Sequence, residues 1–155
     1  MVLTRRWVLV ILATMALKAA LAVAMAGEFY EPGGVAIRGY DPVAYFEERR
    51  PVKGSPSWSV QFQGSTFYFA SAAHRDVFSA APEQYAPQYG GFCAFGAAKG
   101  YKAKIDPDAF SLVNGKLYLN YSVSVREQWL ENVPGYIAKA DRNWPQVRST
   151  TKIYE

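Results

Sequence analysis

Two side chains stand out for chemistry in this 155-residue chain: its single cysteine, Cys93, and its single histidine, His74. Cys93 follows Gly90-Gly91, where the backbone can approach a neighbour closely, and is flanked by Phe92 and Phe95. A thiolate there suits Cu(I) or Zn(II); the other reading is a small residue packed among aromatic rings. His74 stands third after Ser71, in the first turn of an expected helix, where it is either a metal ligand or a solvated surface imidazole. A Cys93–His74 pair is enough for two-coordinate Cu(I). Zinc takes more ligands, which would come from Asp41, Asp106, Asp108, Met25, a tyrosine or a partner molecule. Cys93 as nucleophile with His74 as base would make a hydrolase, but no residue in the sequence is marked as the group that orients the base. The chain has no H-E-x-x-H, C-x-x-C or phosphate-binding glycine loop.

Tyrosine is the third feature, with 11 in the chain. A buried ring with its hydroxyl bonded to backbone or water is the ordinary use. Tyr40, Tyr45, Tyr89 and Tyr118 are the candidates for a pocket that hydrogen-bonds a small ligand.

The elements that must position these groups are short. Asp41-Pro42 caps and starts a helix through Phe46. Trp58, Val60 and Phe62 alternate with polar residues and, with Phe67–Phe69, make a hairpin around Gly64. Ser71 caps a second helix, which Pro82 ends. Asn114-Gly115 turns a second hairpin between Phe110–Val113 and Lys116–Asn120. Helices are expected over Val123–Glu131 and Tyr136–Arg142, broken at Pro134-Gly135. Asp106-Pro107-Asp108 reads as a turn initiator, and Lys99, Lys102 and Lys104 as a solvated edge. Residues 28–36 read as a mobile lead-in, and the segment after Pro145 as a frayed polar tail. The expected fold is a single α+β domain, a small antiparallel sheet of two hairpins packed with short helices.

Residues 1–26 have the parts of a secretory signal: Arg5-Arg6, an apolar run from Trp7, and Ala24 and Ala26 before Gly27. Thr4–Leu9 also looks like a twin-arginine signal, with ordinary secretion as the alternative. The expected location is therefore the periplasm. An uncleaved anchor in the inner membrane is the rival, since Trp7–Ala26 is long enough to span a bilayer. The full chain carries 17 Lys+Arg against 13 Asp+Glu; without Arg5, Arg6 and Lys18 the balance is 14 against 13. No basic stripe is left to neutralise phosphates, which excludes nucleic acid as a partner. An exported chain with one cysteine forms no internal disulfide, and about 130 residues can bury a core without one.

Three segments carry a resemblance: Gly39–Phe46 (GYDPVAYF), Phe67–His74 (FYFASAAH) and Pro82–Tyr85 (PEQY). Together they resemble the YHS domain, whose metal-binding members read Asp-Pro-Val-Cys, then Tyr-Phe-Cys-Ser-x-x-Cys, then Phe and Pro-Glu-x-Tyr. Asp41, Pro42, Val43, Tyr68, Phe69, Ser71, Phe78, Pro82, Glu83 and Tyr85 match. Ala44, Ala70 and His74 stand where the three cysteines would be. Ala86–Ala94, Gly115–Tyr121, Trp129 and Ala140–Pro145 are similar to a larger exported bacterial group, so the resemblance spans about Ala36 to Pro145, with residues 38–145 as the domain and 146–155 as the tail. It implies a metal-binding (copper or zinc) accessory or sensing protein working with a metal-handling partner. The alternative is a non-catalytic interaction or small-ligand module that has lost the metal site. Retention of His74 and Cys93 speaks for the first, Ala44 and Ala70 for the second.

Overall fold

A computed structural model describes residues 28–155, so the signal-like segment 1–26, Met25 included, lies outside the described residues. The chain forms α1 (Pro42–Glu47), the hairpin β1 (Ser55–Phe62) and β2 (Ser65–Phe69), then α2 (Ala72–Ala80), α3 (Pro82–Tyr85) and α4 (Ala94–Lys99). Next come β3 (Lys102–Ala103), the hairpin β4 (Asp106–Val113) and β5 (Lys116–Asn120), α5 (Val123–Leu130), α6 (Val133–Val147) and β6 (Ile153–Tyr154). The α+β class and both antiparallel hairpins are those expected, with Val60 opposite Phe67 and Leu112 opposite Leu117. A third pair is parallel and links distant parts of the chain: β3 with β6, Lys102 opposite Ile153.

Local chemistry explains most of these boundaries. Asp41 accepts hydrogen bonds from the Val43 and Ala44 N–H groups, and Pro42 takes the first turn of α1, where no donor is missed. Ser71 caps α2 and Ser122 caps α5 in the same way. Pro134-Gly135 does not break a helix: Asn132 accepts from Gly135 N–H, so the pair forms the opening turn of α6. Asp106-Pro107-Asp108 lies inside β4, where the register shifts between Asp106 and Phe110, and the irregularity accommodates the proline.

Three clusters of apolar side chains hold the elements together. Phe67, Phe69 and Phe78 join β2 to α2, with the Phe67 and Phe78 ring centroids 5.0 Å apart. Tyr45, Phe92, Ile105, Leu117 and Leu119 fill the centre. Trp129, Tyr118, Ala97 and Ala140 seat α5 and α6. Each fully buried aromatic contributes roughly 1.5–3 kcal/mol from area removed from water.

Both chain flanks depart from expectation. In the lead-in, Phe29 and Tyr30 are buried, and Tyr30 N–H donates to Gly90 C=O at 2.7 Å. The tail after Pro145 continues α6 to Val147 and then returns as β6 along β3. Paired backbone groups and buried rings fix segments whose polar composition alone suggests fraying. Among the described residues no helix is long and apolar enough to cross a membrane.

Candidate functional site

Asp41 sits at the junction of α1, β2 and α2, fully buried. Its Oδ1 accepts from Val43 N–H at 2.9 Å and Ala44 N–H at 3.2 Å. Its Oδ2 accepts from Ala70 N–H at 2.9 Å and meets His74 Nδ1 at 2.6 Å. Four donors fill the four acceptor positions of a carboxylate, so nothing on Asp41 is left for a further ligand. His74 enters this arrangement because Ser71 caps α2 through His74 N–H, which sets the imidazole over the first turn. Its other nitrogen, Nε2, lies 3.1 Å from Glu47 Oε2 at the end of α1. Burial pulls the imidazole pKa down. The Asp41 hydrogen bond and the charges of Asp41, Glu47 and Glu48 outweigh that effect and raise it above the ordinary histidine value.

Positions 44, 70 and 74 therefore converge on one carboxylate, two through backbone N–H groups and one through the imidazole. Glu47 was not legible as a partner of His74: nothing but its place at the end of a short helix distinguishes it from neighbouring Glu48.

Cys93 belongs to a different neighbourhood. It caps α4, its sulfur accepting from Gly96 N–H at 3.4 Å and Tyr121 N–H at 3.2 Å, and it lies 3.6 Å from Asn120 Oδ1. None of these partners is shared with His74. Burial pushes the thiol up, the Gly96, Tyr121 and Phe95 N–H groups pull it down, and burial wins. Asn120 Oδ1 also accepts from Phe95 N–H at 3.0 Å, which fixes the amide and leaves its Nδ2 buried with no partner. Asp106, opposite Asn120 in the register of β4 and β5, turns its carboxylate back onto Asp108 N–H at 3.0 Å. Among the described residues no group of three or more His, Cys, Asp and Glu side chains is arranged to hold a metal ion.

The tyrosines divide. Tyr45 is fully buried and donates to Pro107 C=O at 3.0 Å, tying α1 to β4. Burial first, then the nearby Tyr40, Asp108 and Asp106, raise its pKa. Tyr40 lies under the Lys53 ammonium, 4.8 Å from the ring centroid. Tyr89 donates to Asp141 Oδ1 at 2.8 Å, and its ring lies 5.9 Å from that of Tyr118. Of the four, Tyr89 lines a cleft, of about 450 Å³, with Trp144, Glu83 and Phe62.

The larger cleft, of about 740 Å³, runs between the lead-in and the returning C-terminal segment. Its lining includes Phe29, Tyr30, Phe92, Lys102 and Arg148, none of them a candidate site residue on the sequence. Lys102 is 4% exposed, not a solvated edge residue. Its ammonium donates to the carbonyls of Arg148 at 2.9 Å and Thr150 at 2.8 Å and lies 4.9 Å from the Phe92 ring centroid.

Comparison with protein-family models, curated proteins and solved structures gave no match.

Proposed function

We propose that this chain is an exported, non-catalytic module of the YHS kind that binds a small ligand or partner, with internal hydrogen bonds in place of a metal centre. The observation that carries this reading is the convergence of Ala44, Ala70 and His74 on the Asp41 carboxylate. The resemblance puts three thiolates at those positions. In this chain Ala44 and Ala70 offer no side-chain ligand, the Asp41 carboxylate beside them has all four acceptor positions filled, and His74 supplies a positive charge when protonated. The clefts beside the lead-in supply the concave surface that a binding module needs.

A second reading, a copper or zinc accessory protein, is favoured by one detail. Asp41 holds Nδ1 of His74 in the way that outer-shell carboxylates orient metal-bound histidines, which leaves Nε2 beside Glu47. His74 and Glu47 would be two of the ligands, and the others would come from a partner.

Elemental analysis of the chain exported in its native host, beside a His74→Ala, Cys93→Ser double variant, decides between them. Trace metal, equal in both, is the expected result. About one ion per parent chain, lost in the variant, would overturn the binding-module reading in favour of the second.

A further inference from the structure

The chain beyond α6 is held differently from the rest of the domain. Val147, the last residue of α6, is buried, whereas every residue from Arg148 to Glu155 is exposed. Ile153 and Tyr154 keep 38% and 46% of their surface in water, so the segment buries little apolar area of its own. Hydrogen bonds fix it instead, at two places. At its base, Lys102 donates to the Arg148 and Thr150 carbonyls, and Thr150 N–H closes the helix end on Val147 C=O at 3.0 Å. At its tip, Lys104 N–H donates to Tyr154 C=O at 2.9 Å, and the exposed Tyr121 hydroxyl donates to the main-chain oxygen of Glu155 at 3.0 Å. Thr151 and Lys152, between base and tip, lie outside regular structure. Thr151, Ile153 and Glu155 line the 740 Å³ cleft.

A segment with few buried apolar contacts and solvent-exposed bonds opens at a smaller free energy than the domain as a whole. Base and tip differ in this respect. The base is tied to a buried ammonium that would lose both carbonyl acceptors, a large desolvation cost. The tip is tied by bonds at the surface, where water replaces them. Nor does β3 depend on the tip, because its other edge belongs to the core: Cys93 N–H donates to Ala103 C=O at 3.1 Å.

We infer that residues 151–155 form a lid over the larger cleft, anchored at its base by Lys102, latched at its tip by Tyr121 and opening about Thr151–Lys152 while the domain stays folded. The binding-module reading gives the lid its role, which is to control access to that cleft.

The test is hydrogen exchange of the chain followed amide by amide by NMR. Lys104 N–H bonds the lid and Cys93 N–H bonds the core side of the same strand, so the pair separates lid opening from unfolding. The Lys104 amide should be protected at least about 100-fold less than that of Cys93 and should be insensitive to low denaturant, as local opening exposes little surface. Tyr121→Phe keeps the ring and removes one ordinary hydrogen bond, so Lys104 should exchange about three- to tenfold faster with Cys93 unchanged. Equal protection at Lys104 and Cys93 overturns the lid. So does a Tyr121→Phe variant in which Lys104 exchange is unchanged, or in which both amides speed up by the same factor. The opening is read with no ligand present, so those results overturn the lid alone. Stoichiometric metal in the elemental analysis would instead overturn the module reading and leave the opening standing.

Discussion

His74 Nδ1 and Asp41 Oδ2, 33 positions apart in sequence, lie 2.6 Å from each other and pin the start of α2 to the cap of α1. The contact makes one carboxylate serve as helix cap, strand-end acceptor and ion-pair partner. Asp41→Asn keeps an acceptor for the helix cap but removes the charge that holds the imidazolium. The His74 pKa, followed by NMR of the ring Cε1–H, should fall relative to the parent. Stability should drop by about 1.5–3 kcal/mol, the range for a hydrogen bond to a charged group. An unchanged imidazole pKa would mean that the pair does not form in solution.

The same contact sets a pH dependence. The folded-state pKa of His74 is raised, so its contribution to stability is fully present below the unfolded value of about 6.5. It is lost as pH rises through the folded value. In denaturant titrations across pH 5–9, parent minus His74→Gln should give a stability difference that is largest at the acidic end and shrinks toward the alkaline end. A difference that grows with pH would contradict the ion pair.

Cys93 should behave as a structural thiol. Buried and holding two backbone N–H groups, it should react with a thiol reagent only as fast as the domain opens. Cys93→Ala leaves Gly96 and Tyr121 N–H without their acceptor and should cost about 1–3 kcal/mol, with Cys93→Ser costing less because the hydroxyl can still cap α4. Rapid labelling of the native chain would place the thiol at an accessible surface instead.

Gly90 has φ +61°, and a Cβ there would stand 2.0 Å from the carbonyl oxygen of Glu28. Gly90 C=O also accepts the Tyr30 N–H that docks the lead-in. Gly90→Ala must therefore push the lead-in away, opening both clefts that it lines. A fall in melting temperature of several degrees, with increased proteolysis near residue 28, is expected. Gly115→Ala, in open space at a hairpin turn, should be milder despite its positive φ, which makes it the control.

Much of the fold was legible in the sequence. Helix caps at Asp41 and Ser71, the alternation of β1 and the Asn114-Gly115 turn depend on bonds within a few residues, so neighbouring residue types nearly determine them. Pro134-Gly135 misled because the same dipeptide serves the end of one helix and the first turn of the next. The tail and lead-in misled because what orders them, β3 and the Gly90 carbonyl, lies far away along the chain.

The sequence by itself determined the α+β class, the two hairpins and the identity of the residues with chemical capacity, Asp41, His74 and Cys93. Tertiary structure alone decided their distant partners. It brought His74 to Asp41 and Glu47, gave Cys93 to Asn120 and the α4 cap, and buried Lys102 in a cleft that no motif announces. The physical reason is range. Capping and turn energetics act over three or four residues and leave a signature in spacing, whereas burial and charge pairing depend on which distant surfaces meet when the three apolar clusters close.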